Sequence, residues 1–385
     1  MRTVVNKHQK WRAEKCLNLI PSENVTSSAV RQLLTIDMGH RYTAPDRFYK
    51  GTRFLDELER LGEQIAREVF HSDWASLRPL SGHNADMIAV STITRPGDSI
   101  LTVGPDNGGY PGISDQGYAP MVGVHNLYFP FNTEEWNIKV EEARLLIKDR
   151  KPALVVFGQS FFLFPHPVSK LVETCREIEA KVAYDASHVM GLVAGGAFQD
   201  PFKEGVDLIM GSTHKSLFGP QGGIILGSSA VESQVKARQF PGLVDNAHWN
   251  RMAALAWALD ESRRQGAKYA KQVIANAKTL AKALHENNLP VKCVGGGFTE
   301  SHQVLLGITG DAEIERFTTA LEGSNIIVDR GVRLGTNEMT RRGMKSKEME
   351  RIAELIAKVY HKEPTARVKR EATRLRQEFQ RLEYT

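Results

Sequence analysis

Gly211-Ser212-Thr213-His214-Lys215-Ser216-Leu217-Phe218-Gly219-Pro220-Gln221-Gly222-Gly223 sets one lysine among small hydroxylated residues, after the apolar run Asp207-Leu208-Ile209-Met210 and within a glycine-rich turn. The apolar run reads as a strand, so Lys215 is expected at a strand end with little room around it. An imine-forming lysine is presented in this way, because its amine must be fixed and partly desolvated to attack as the neutral base. Taken alone, a lysine in a glycine-rich loop is more often an ordinary surface residue. A second segment, thirty residues upstream, reverses that balance: Val182-Ala183-Tyr184-Asp185-Ala186-Ser187-His188 reads as a short buried strand ending in an acid and a histidine.

A carboxylate and an amine at neighbouring strand ends are the groups pyridoxal phosphate needs, the acid to keep the pyridine nitrogen protonated and the amine to hold the aldehyde. Further blocks accompany them: Ser22-Glu23-Asn24-Val25-Thr26-Ser27, Ser81-Gly82-His83-Asn84-Ala85-Asp86, Gly331-Val332-Arg333-Leu334-Gly335-Thr336 and Thr340-Arg341-Arg342-Gly343. With Asp185 to Leu192 and Thr213-His214-Lys215, these blocks make the chain resemble the serine hydroxymethyltransferase family of pyridoxal-phosphate enzymes. That family has the aspartate-aminotransferase fold (fold type I), and the resemblance covers residues 17 to 360 in the family's order.

Composition sets the outer limits. The 385 residues suffice for two domains and a sizeable core, and 41% hydrophobic with 25% charged residues describes an ordinary soluble globular chain. Of the formal net charge of +5, the segment 361–385 carries +3, with seven Lys or Arg against four acids, so the body is close to neutral. Charge runs on helices are mostly solvated faces, and no basic patch interleaved with aromatics appears, which argues against nucleic acid as a partner. Cys16, Cys175 and Cys293 are odd in number and widely spaced, which suggests a reducing interior rather than a disulfide framework, and none has a metal-ligand spacing. No signal-peptide core or membrane-length apolar run is present, so the expected compartment is the cytoplasm.

Along the chain, helices are expected at 56–70, with Leu58, Leu61, Ile65, Ala66 and Val69 on the apolar face, and at 82–94 and 168–181. Strands are expected at 99–103, 153–158, 182–185, 207–211 and 223–226. This alternation gives an α/β fold whose mostly parallel sheet is covered on both faces, with ligands at the carboxyl ends of the strands, where Ser160, Asp185, His188 and Lys215 fall. Ser81-Gly82-His83 opening a helix offers backbone N–H groups to an anion. Beyond a long helical stretch from 247 to 287, a smaller α/β unit is expected, with strands at 291–294, 303–308 and 325–328, a helix at 312–322, and Arg333 on a strand. A charged, solvated helix over 364–384 ends the chain. The expected division is an N-terminal arm (1–16), a large cofactor-binding domain with a seven-stranded type of sheet (17–245), and linking helices with a small C-terminal α/β domain (246–385).

The resemblance implies roles for individual residues. Lys215 would hold pyridoxal 5'-phosphate, Asp185 the pyridinium, His188 the ring's phenolic oxygen and Thr213 the lysine. Ser81, Gly82, His83, Ser160, Ser212 and His214 would complete the cofactor site, and Ser22, Glu23 and Arg333 would bind the amino acid. Tyr42 and Tyr49 would stand near the chemistry, and a homodimer with shared active sites is implied. Four departures bear on the reaction. The family's loop glutamate is missing from Tyr42-Thr43-Ala44-Pro45-Asp46-Arg47-Phe48-Tyr49, where Asp46 is the one nearby carboxylate. Asn107 stands where relatives carry a ring-stacking histidine. The polar folate-holding insertion is missing between Ile327-Val328-Asp329-Arg330 and Gly331, and Pro241-Gly242 lacks the Gly-Gly that follows it in relatives. The expected function is therefore making or breaking the Cα–Cβ bond of a glycine-, serine- or threonine-type substrate, with a free aldehyde as a possible partner and without folate. A folate-dependent hydroxymethyltransferase, or a racemase or aminotransferase on the same scaffold, stays open, and no metal is expected.

Overall fold

Leu154-Val155-Val156-Phe157 is buried throughout, as a strand covered on both faces must be. It is the fourth of seven strands in one sheet of a computed structural model that describes residues 1–44 and 48–385. The strands are β1 (Trp74–Ser76), β2 (Ser99–Thr102), β3 (His125–Tyr128), β4 (Leu154–Phe157), β5 (Lys181–Asp185), β6 (Leu208–Ser212) and β7 (Gly223–Gly227). Their order is β1-β7-β6-β5-β4-β2-β3. Only β7 runs antiparallel to its neighbours; the pairs from β6 across to β3 are parallel. The register Asp185↔Met210 brings the last residue of β5 beside the end of β6, so Asp185 and the Ser212–Lys215 segment emerge together. Gly158, at φ +118°, lets β4 leave the sheet against β5, because a Cβ there would lie 2.3 Å from the Asp185 carbonyl oxygen.

These strands and their helices belong to a compact unit of residues 26–267; a second unit comprises 1–25 with 268–385. The expected boundaries at 16/17 and 245/246 are therefore shifted. Leu17–Asn18 pairs in parallel with Ile326–Ile327, and Leu17 and Leu19 join a core containing Leu280, Leu284, Ile352 and Ile356. At the other junction, helix Trp249–Glu286 runs unbroken for 38 residues through the charged stretch 260–264, where Asp260 pairs with Arg263 and Arg264 one turn on.

Other differences have local causes. Helix Arg53–Phe70 buries Leu55, Gly62, Ala66, Val69 and Phe70, leaving Leu61 52% exposed. Gly62 turns this face inward: a Cβ there would stand 2.9 Å from Leu77 and 3.3 Å from Ala256. Helix Val168–Glu177 stops before 181 because Glu179 takes a left-handed conformation (φ 61°). In the second unit, the expected strand at 291–294 reduces to a bridge between Val291 and Leu306, since Cys293 (φ 58°) turns the chain into a short 3-10 helix, Val294–Gly296. The final helix, Thr365–Glu378, is not merely solvated. Val368, Ala372, Leu375 and Arg376 form a buried stripe at helical spacing.

Candidate active site

Two strand ends within the unit 26–267 present Asp185 and the loop of Lys215. Asp185 closes β5, and its Oδ1 accepts a hydrogen bond from the Ser187 N–H at 2.9 Å. The Ser187 hydroxyl accepts from the Ser212 N–H at 3.0 Å, tying the loop after β5 to the end of β6. His188 follows, buried. Thr213 then closes the loop carrying His214 and Lys215: its hydroxyl donates to the Pro220 carbonyl at 2.7 Å, and its N–H donates to the Gly222 carbonyl at 3.1 Å. Both His214 and Lys215 are half-buried. Burial, aided by the Lys215 charge, pushes His214 down to about 4, so its imidazole is neutral near pH 7.

Helix Gly82–Ile93 points its N-terminus at this junction. Ser81 caps it, with Oγ accepting from the Asn84 N–H at 3.0 Å. Gly82 is the point of closest approach: a Cβ would stand 2.8 Å from the Ser212 nitrogen and 3.2 Å from Ser187 Oγ. Around this junction Ser212 Oγ, His83 Nδ1 and His214 Nδ1 are buried without a hydrogen-bond partner. Uncommitted polar atoms beside a helix N-terminus fit a phosphate, and with Asp185 and Lys215 at the strand ends the residues present fit pyridoxal phosphate. Ser160 approaches from β4, its N–H donating to the Gly108 carbonyl at 2.7 Å.

Two residues escaped the sequence reading. Asp86 is only 1% exposed, one turn into helix Gly82–Ile93, and its Oδ1 has no hydrogen-bond partner. Burial, and next the charge of Asp185, raise its carboxyl well above the usual range, against a smaller opposing pull from Lys215. Tyr110 meets the His83 ring edge-on at 6.0 Å, and burial with the charges of Asp86 and Asp185 pushes its phenol up to about 12. Asn107, expected over the cofactor ring, ends the short 3-10 turn Pro105–Asn107; Tyr110, three residues on, is the aromatic that feels both acids. A signal for Asp86 was available, since an acid amid the apolar positions of Ala85, Ile88 and Ala89 lies on a buried helix face.

The unit 1–25 with 268–385 brings Ser22, Glu23 and Arg333 together. Gly335 donates its N–H to the Leu19 carbonyl at 2.7 Å and lies so close to Pro21 that a Cβ would be 2.4 Å from its Cα. The Ser22-Glu23 turn therefore stands against strand Arg333–Gly335, and the Asn337 side chain donates to the Glu23 carbonyl. The Glu23 carboxylate accepts from Arg12 at 2.6 Å and Asn18 at 2.8 Å, so it is engaged within the unit. Arg333 pairs with Asp329 at 2.9 Å. Tyr42 and Tyr49 are exposed and meet edge-on at 5.6 Å; Asp46, between them in sequence, lies outside the described residues.

A family model described as serine hydroxymethyltransferase matches residues 1–356. The chain is 41% identical to the serine hydroxymethyltransferase of Methanopyrus kandleri over 99% of its own length and 93% of the relative's. It is 39% identical to that of Methanocaldococcus jannaschii, over 100% and 95%. Among solved structures, the L-threonine transaldolase of Pseudomonas fluorescens superposes with a TM-score of 0.92 at 26% identity, covering 100% of this chain and 92% of that one.

Proposed function

The chain belongs to the serine hydroxymethyltransferase family and is a pyridoxal-phosphate-dependent enzyme, and from that premise we propose that it makes or breaks the Cα–Cβ bond of a β-hydroxy amino acid by folate-free aldol or transaldol chemistry. The observation that carries the folate-free reading is the five-residue connection, 328–332, between strands Ile326–Ile327 and Arg333–Gly335. It ends in Val332 at φ +46° and is closed by Asp329, a short turn that supports the reading without a folate-holding segment there. The likeness to an L-threonine transaldolase over the whole chain supports the same reading. A second reading, folate-dependent hydroxymethyl transfer, is favoured by the names of the relatives near 40% identity.

When bound, pyridoxal phosphate supplies an electron sink for whichever Cα bond stands perpendicular to its ring. This chain's residues would do the rest. Lys215 would hold the aldehyde carbon and move protons at Cα. Asp185 would keep the proton on the pyridine nitrogen, and His188 would face the phenolic oxygen. Ser81, Gly82, His83, Ser212 and His214 would hold the phosphate, through the helix N-terminus and the uncommitted polar atoms of His83, Ser212 and His214. Ser160 and Asn107 border the pocket on loops tied through Gly108. Arg333 and Ser22 grip the substrate carboxylate, which fixes the rotation about Cα–N and so selects the bond to be cleaved.

A second copy of the chain fits the proposal, because Tyr42, Phe48, Tyr49, Phe54 and Leu61 leave large apolar surfaces exposed within one stretch of sequence. No helix among the described residues is long and apolar enough to cross a membrane, and the cytoplasm remains the proposed compartment. Tetrahydrofolate titrated into the holoenzyme with glycine present tests the folate-free reading: neither binding heat nor a change in the cofactor spectrum is expected. Saturable binding with a strengthened spectral change would establish the second reading.

A further inference from the structure

The shortened connection has placed a carboxylate on the arginine meant for substrate. Asp329 Oδ2 accepts from Arg333 Nε at 2.9 Å and lies 2.9 Å from Nη2, while Oδ1 accepts from the Arg333 backbone N–H at 3.4 Å. The Arg333 side chain is 12% exposed and that of Asp329 is 23%, so the pair is sheltered on the arginine side yet open to water on the other. The turn is under strain: Val332, a buried β-branched residue, is held at φ +46°, and its N–H donates to the Asp329 carbonyl at 3.1 Å. Asp329 is thus built into the turn that delivers Arg333 to its strand, and one carboxylate oxygen, Oδ2, meets both Nε and Nη2 of the guanidinium, where a substrate carboxylate would also bind.

We propose that Asp329 is an internal stand-in for the substrate carboxylate, a positioning residue that occupies Arg333 and that an incoming amino acid must displace or share. The inference rests on the reading of Arg333 as the carboxylate anchor. Asp329 then weakens the resting site for every α-amino acid through one shared group, and it lends the guanidinium a preset orientation. A ligand with an amine and no carboxylate does not compete for Arg333, so Asp329 governs discrimination between amino acids and simple amines.

The test uses the holoenzyme, with glycine and methylamine as probes and the cofactor's absorbance change as the readout of binding. Asp329→Asn keeps a side-chain oxygen to accept the Arg333 N–H, so the turn survives; Asp329→Ser is the second variant should the first not fold. Glycine affinity is expected to tighten about tenfold in Asp329→Asn, as on removing a like charge a few ångströms away, with methylamine affinity unchanged. Arg333→Lys, run in parallel, should weaken glycine binding. Unchanged or weaker glycine affinity in Asp329→Asn, or an equal change for methylamine, overturns the proposal while a weakened Arg333→Lys keeps the anchor reading. Unchanged glycine affinity in Arg333→Lys removes the anchor and the proposal with it.

Discussion

Replacing Asp86 by asparagine should stabilise the cofactor-free protein by an amount that grows with pH. Asp86 is buried beside Asp185, and its folded-state carboxyl lies well above its ordinary value. A group raised in this way contributes its full stability below the unfolded carboxyl value and loses it as pH rises towards the folded one. Over that window the unfolded chain has released the proton and the folded chain has not, so each pH unit costs about 1.4 kcal/mol. Across that window the advantage of Asp86→Asn should therefore widen steadily as pH rises. Asparagine does not titrate, so any fixed packing or hydrogen-bond change shifts the whole curve without altering this slope. The assay is urea denaturation of the cofactor-free parent and variant at several pH values, compared at matched conditions. A gap that stays constant or narrows with rising pH would mean that Asp86 ionises normally, and the account of the two carboxylates would fail.

Gly82→Ala tests the phosphate cradle: with its Cβ 2.8 Å from a backbone nitrogen, overpacking of about 1–3 kcal/mol should weaken cofactor affinity, read by absorbance titration. Unchanged affinity would move the cradle elsewhere. Removing residues 381–385 takes the Tyr384 carbonyl from the buried Arg341 and the Tyr384 ring from Tyr269, 5.6 Å away. The loss should be about 1.5–3 kcal/mol, the worth of a hydrogen bond to a charged group, visible as a lower melting temperature; full thermal stability of the truncated chain would contradict it.

Five of the seven sheet strands were legible because periodicity and turn residues are local, and the Asp185 and Lys215 segments announced themselves by ending apolar runs; Trp74–Ser76 and His125–Tyr128 were not expected as strands. What was not legible depended on partners distant in sequence. Leu61 has a good apolar position in its helix, but Gly62 decides which face packs. The 17–25 segment joins the second unit through a pairing with Ile326–Ile327 that only tertiary structure reveals. Asp86 stood in the sequence only as the end of the Ser81–Asp86 block, since its raised carboxyl comes first from burial and then from Asp185, distant in sequence. Asp329 read simply as part of a shortened loop, and its importance lies in reaching Arg333.

The central claim, carbon–carbon bond exchange without folate, is tested most directly by giving the holoenzyme threonine and a second, aromatic aldehyde with no folate present, and following amino acids and aldehydes by mass spectrometry. The account predicts loss of threonine, release of acetaldehyde and appearance of a new β-hydroxy amino acid carrying the aromatic group. Threonine left intact, with turnover of serine only once tetrahydrofolate is added, would contradict it.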